Sequence, residues 1–174
     1  MKTITKDNWL EVDSIVASGV FARFSMTNTS VKPLTASDWV ERFLTPKLSP
    51  NVPEEVRELF EVARGAMLYG VCFYPLFTLG LEQVFRLMEA AAKAKAMSLG
   101  ISMVKANGDY RSYGAILADL FAKKSLTKTE YEWWSNAKEF RNETTHAMSQ
   151  SILMPPQIVG MLTSITEAIN RLFE

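Results

Sequence analysis

Histidine and cysteine are nearly missing from this chain of 174 residues: it has one of each, His146 and Cys72. A structural zinc site usually takes four Cys or His ligands, so none is expected within one chain, and no cofactor is expected either. A single cysteine in an apolar run excludes a disulfide framework and fits a reducing, cytoplasmic setting, with Cys72 as a small buried hydrophobe. A surplus of charge is also lacking. The chain has 19 Lys and Arg against 19 Asp and Glu. Net charge therefore neither favours nor excludes a nucleic-acid partner, and any electrostatic argument must be local. Long hydrophobic runs are absent too. The most apolar stretch, Ala66 to Leu81, is shorter than the ~20 residues of a membrane helix and contains Gly70, Pro75 and Gly80, so it is expected to be core. The first residues, Met1 to Asp7, lack the apolar segment of a signal peptide. Strand signals are weak, with no long alternation of apolar and polar residues.

What is present reads as helix. Hydrophobic residues make up 48% of the chain and charged residues 22%, which suits a globular domain with a substantial core. The periodicity predicts an all-α fold, an antiparallel bundle of four core helices with extra short N-terminal helices. Residues 1–52 form the N-terminal elaboration and residues 53–174 the bundle. A first helix is expected over 7–18, capped by Asp7 or Asn8, with Trp9, Val12, Ile15 and Val16 on one face. Phe24 to Leu34 reads as a loop. Thr35, or preferably Ser37, caps the next helix. Pro53-Glu54-Glu55 opens a long helix, because proline suits the first turn and acids suit the positive end of the dipole. Gly70 and Pro75 interrupt it. A second long helix runs from about Pro75 to Ser98 and ends at Leu99-Gly100. Ser112 opens a shorter helix. Thr127 and Glu130 have capping-box spacing for the next one, and Pro155 or Pro156 begins the last.

The chemistry concentrates in Phe140-Arg141-Asn142-Glu143-Thr144-Thr145-His146. Arginine presents a charged planar fork that matches phosphate oxygens. Histidine exchanges protons near neutral pH. Asparagine both donates and accepts, so it can orient an imidazole or a ribose hydroxyl. These three types suit RNA cleavage without metal. A base activates the 2′-hydroxyl, charge builds on the phosphoryl oxygens, and an acid protonates the leaving 5′-oxygen. On one helix Asn142 and His146 share a face, whereas Arg141 and His146 lie roughly 140° apart. Arg141 then either reaches around the helix or a break intervenes, with Asn142 as the N-cap of a new segment. Lys138, just before the motif, and Thr145, within it, are the expected secondary substrate contacts. With one histidine per chain, a reaction needing separate acid and base would take the second from another chain, water or another side chain. This favours a homodimer with facing motifs.

The Arg-Asn-x-x-x-His stretch, on a helical chain and followed by a last apolar helix, resembles the signature of the HEPN superfamily (higher eukaryotes and prokaryotes nucleotide-binding domains). The resemblance covers roughly Pro53 to Glu174. It implies a helical bundle, a metal-independent ribonuclease active as a homodimer on RNA, and Arg141, Asn142 and His146 as the functional residues. Ribonuclease members are often toxins or defence proteins, some paired with a nucleotidyltransferase antitoxin. Other members have no nuclease activity and bind nucleotides or protein partners, and that alternative stays open, as does a plain scaffold in which the motif is accidental.

Other features admit two readings. Lys93, Lys95, Lys105, Arg111, Lys123, Lys124 and Lys128 outnumber Asp109 and Asp119 and form either a phosphate-tracking surface or solvated helix ends. Trp133 and Trp134 either stack on bases or divide between core and interface. Glu82 and Glu89 share a helix face, but no histidine accompanies them as a metal ligand.

Overall fold

The computed structural model describes residues 2–17, 35–145 and 155–174. It is all-α, and the described residues form seven helices: α1 (Ser14–Ala17), α2 (Ala36–Leu44), α3 (Glu54–Tyr69), α4 (Pro75–Ser98), α5 (Tyr113–Ala122), α6 (Lys128–Thr145) and α7 (Pro155–Leu172). Helix α4 is central and packs against α3, α5, α6 and α7. Its buried residues include Phe77, Leu81, Val84, Phe85, Leu87 and Met88. Leu79, on the same helix, is exposed. Among the described residues no helix is long and apolar enough to cross a membrane.

The punctuation residues act as their chemistry predicts. Gly70 to Tyr74 turn the chain so that α3 packs back on α4. Gly100 has φ +72°, the left-handed conformation that suits glycine after a helix end. Asn107 and Gly108 form a turn, Gly108 having φ +89°, between the bridged residues Val104 and Tyr110. Ser112 caps α5 by accepting from the Ala115 N–H. Thr127 and Glu130 make the capping box that starts α6, and the hydrogen bonds from Thr127 hold the Glu130 carboxyl below its ordinary pKa.

Helices α3 and α4 meet at Gly80. A Cβ there would lie 2.6 Å from the Met67 side chain, 3.1 Å from the Ala63 carbonyl oxygen and 3.2 Å from the Met67 nitrogen. Alanine at this position would gain up to ~1 kcal/mol in helix propensity, but overpacking costs about 1–3 kcal/mol where neighbours cannot yield. The neighbours here include backbone atoms. Gly80→Ala is expected to lower stability in urea unfolding, and a variant as stable as the parent would refute the close approach.

The N-terminal region departs from expectation. Among the described residues helix is found over Ser14–Ala17 and not over 7–13, and Trp9 is 58% exposed. The reason is local competition for backbone groups. The Asn8 side chain accepts from the Thr5 N–H (2.8 Å) and donates to the Thr3 carbonyl (3.0 Å), which holds the chain in a turn. Asp13 instead begins the helix. It is fully buried, accepts from the Ile15 and Tyr74 N–H groups (both 3.1 Å), and donates its own N–H to the Val71 carbonyl (2.9 Å). It thus ties the N-terminal segment to the α3–α4 turn. Thr35, not Ser37, caps α2, with Asp38 closing the box. The expected loop at 24–34 lies outside the described residues.

Helix α2 inserts Trp39 and Phe43 into the same core as α3 and α4, with Phe43 stacked on Phe77 at 5.5 Å. The segment Thr45 to Pro53, which joins α2 to α3 and holds three prolines, is held to α7 by Asn170, which accepts from the Ser49 N–H (2.8 Å) and donates to the Lys47 carbonyl (3.0 Å). Cys72 is only half-buried, its Sγ 3.4 Å from the Leu10 carbonyl oxygen, so it is not a core filler.

Candidate functional site

Helix α6 carries the motif. Its apolar anchor is Trp134, 1% exposed, seven residues and about two turns before Arg141. The helix is continuous through Thr145. Asn142 therefore sits inside a helix and is not the N-cap of a new segment, and no break separates Arg141 from Thr145. The side chains of Asn142 and Thr145, and the whole of His146, lie outside the described residues.

The structure places Arg141 against α4. Its guanidinium donates to Glu89 Oε2 at 3.2 Å, across 52 residues of chain. Lys93, one turn further along α4, holds Glu89 Oε1 at 2.7 Å. Glu89 thus bridges two cations, one from α6 and one from α4. The cluster is reachable by solvent: the side chains of Arg141, Glu89 and Lys93 are 34%, 25% and 42% exposed. Glu89 is thus the arginine's partner rather than half of a metal pair with Glu82. Lys138, one turn before Arg141 on α6, pairs with Glu139 at 2.7 Å. Its ammonium also lies near the start of α5, 3.6 Å from where a Gly114 Cβ would be.

Tyr113, the first residue of α5, completes the neighbourhood. It is 8% exposed, and its hydroxyl has no hydrogen-bond partner among the described residues. Burial raises its pKa above the ordinary phenol value, as does the nearby Glu89, against an opposing effect of Arg141. The phenol is therefore neutral at physiological pH and acts on this cluster only as a dipole. A buried hydroxyl without a partner costs about 1–3 kcal/mol in desolvation. Tyr113→Phe is expected to leave the fold intact and raise the thermal midpoint by a few degrees. A lowered midpoint would mean that the hydroxyl is bonded in solution.

The other face of α6 borders a cleft of about 400 Å³ between α4, α6 and α7. Phe85, Trp133, Phe140 and Met161 line it, together with Asn136, Gln157 and Ser164. Phe140 packs against Phe85 with ring centroids 6.0 Å apart. The adjacent tryptophans therefore divide between two environments, Trp134 in the core and Trp133 half-buried at the cleft.

No family model, no curated protein and no solved structure matches this chain. Its function rests on its own residues.

The run of basic residues from Lys93 to Lys128 does not form one free stripe. Arg111 is paired with Asp119, Lys93 with Glu89, and Lys128 lies 3.9 Å from Glu132. Lys95 sits over the Phe173 ring at 5.6 Å. The residues that sequence reading did not join to the motif are Glu89 as the arginine's partner and Tyr113. Each sits on another helix, and only the packing of α4 and α5 on α6 brings them to Arg141.

Proposed function

We propose that this protein is a HEPN-type, metal-independent endoribonuclease that acts as a homodimer in the cytoplasm, in a toxin or defence setting. The observation that carries the reading is Arg141. It stands on a core helix, is oriented by Glu89 and is one-third exposed, within the stretch that also contains Asn142 and His146. A side chain fixed by a second residue is preorganised for binding, and a guanidinium suits charge developing on a phosphoryl group.

In this reading His146 takes the proton from a ribose 2′-hydroxyl. The 2′-oxygen bonds to the adjacent phosphorus, and the bond from phosphorus to the 5′-oxygen breaks. The leaving oxygen receives a proton from a second acid, for which His146 of the partner subunit is the natural source, each chain having one histidine. Arg141 stabilises the phosphoryl oxygens, Asn142 orients the ribose or the imidazole, and Lys138 and Thr145 contact flanking RNA. The products carry a 2′,3′-cyclic phosphate and a 5′-hydroxyl. An antitoxin of the nucleotidyltransferase class would be the regulatory partner. Incubating RNA with the purified protein in chelator, and identifying the product ends, tests the reaction.

A second reading has a specific observation in its favour. Glu89 already occupies one face of Arg141, and its negative charge opposes an incoming phosphate. This suits a module that binds a nucleotide or protein partner without cleaving it. Nucleotide binding by an intact dimer that leaves RNA uncut would select this reading.

A further inference from the structure

The two oxygens of the Glu89 carboxylate are held unequally. Lys93 grips Oε1 at 2.7 Å, whereas Arg141 meets Oε2 at 3.2 Å. Bonds between a cationic nitrogen and a carboxylate oxygen usually measure about 2.7–2.9 Å. The lysine contact is therefore tight and the arginine contact loose. The arginine contact also uses only Nη1, one of several N–H donors on the guanidinium. Arg141 is thus drawn away from Glu89 more readily than Lys93 is.

Withdrawing Arg141 would leave Oε2 of a half-buried carboxylate short of a donor. The Tyr113 hydroxyl is a donor short of an acceptor. It is buried, and no described residue bonds to it. Native structures keep few such groups, because an unpaired buried donor is costly, and phenylalanine would fill the same space without that cost. A carboxylate accepts about four hydrogen bonds. Among the described residues Glu89 receives only the Lys93 and Arg141 contacts, so acceptor capacity remains. Of the charged groups that act on the phenol, Glu89 acts more strongly than Arg141. The phenol stays neutral and so keeps its proton to donate.

We infer that Glu89 exchanges partners: at rest its Oε2 pairs with Arg141, and when a phosphate group takes the guanidinium that oxygen turns to the Tyr113 hydroxyl, while Lys93 holds Oε1 throughout. Tyr113 is then a positioning residue that acts on the phosphate only through Glu89. The exchange takes an opposing negative charge off the face of Arg141 without stranding a half-buried carboxylate. It rests on the phosphate-binding role of Arg141 proposed above, and it adds how the arginine is released for that role.

The test uses the full chain in chelator with inorganic phosphate as the probe, titrated by calorimetry or phosphorus NMR. Tyr113→Phe removes the alternative partner. It is expected to bind phosphate at least about tenfold more weakly than the parent, the equivalent of one hydrogen bond to a charged group. Its unliganded form should still show the raised thermal midpoint, so that impaired folding does not account for the weaker binding. In a Glu89→Ala background no carboxylate needs a second partner, and adding Tyr113→Phe should leave phosphate affinity unchanged. Equal affinity in the parent and in Tyr113→Phe would overturn the exchange. A loss of the same size in the Glu89→Ala background would overturn it too, because the hydroxyl would then act without Glu89. Arg141→Ala separates the two layers. It should abolish phosphate binding, and an affinity equal to the parent's, or a parent that binds no phosphate, would overturn the phosphate role and this inference with it. A parent that depends on Arg141 but not on the Tyr113 hydroxyl overturns the exchange alone.

Discussion

Arg141→Ala and His146→Ala should each abolish measurable RNA cleavage in chelator while leaving a folded protein. Losing a group that stabilises developing phosphoryl charge costs about 10²–10³ in rate, and losing a positioned proton carrier about 10²–10⁴. The arginine variant is a clean one because the Arg141–Glu89 pair is partly exposed, and ion pairs of that kind contribute about 0–1 kcal/mol to stability. A thermal midpoint close to the parent's is therefore expected alongside the lost activity. Arg141→Lys is the finer probe. It keeps the charge and loses the planar fork, so cleavage should remain far below the parent if phosphate oxygens are gripped in pairs. Full activity in either alanine variant would sink the ribonuclease reading, whatever the parent protein does to RNA.

The largest stability effect is expected at Trp134. Its ring is 1% exposed and meets Trp133 edge-on with centroids 6.0 Å apart. Removing a buried tryptophan costs about 3–5 kcal/mol, from lost transfer energy and the cavity left behind. For a chain of this size that lowers the thermal midpoint by roughly 10 °C. The consequence reaches function through geometry. Among the described side chains of helix α6 Trp134 is the buried one, and it is the anchor that sets where Arg141 meets Glu89 two turns later. Trp134→Ala should therefore impair phosphate binding even where the variant is still folded, which a binding titration well below the midpoint would show. A cost under ~1 kcal/mol would mean that α6 is held mainly by other contacts.

The placement of Trp133 and Trp134 shows how far a helical pattern reads. Adjacent residues point about 100° apart, so one of the pair had to be more buried than the other. Which one depended on how α6 is turned against α4 and α5. The N-terminal residues show the opposite case. Trp9, Val12, Ile15 and Val16 carry a valid helical spacing, yet the hydrogen bonds of Asn8 and Asp13 draw the backbone into turns before a helix can begin. Spacing records which residues would share a face if a helix formed. It does not record the competition for backbone donors that decides whether one forms.

By itself the sequence determined the all-α class, the helix starts at Glu54, Pro75 and Tyr113, and the turns at Gly100 and Gly108. Each follows from local chemistry: proline's missing N–H, serine's capping oxygen, glycine's freedom at positive φ. It also marked Arg141, Asn142 and His146 as the residues with a shared chemistry. Only the tertiary structure decided that Arg141 is met by Glu89 from 52 residues away, that Lys93 shares that carboxylate, and that Tyr113 is buried beside them. Those relations depend on how helices distant in the chain pack, and no window of neighbouring residues contains that information.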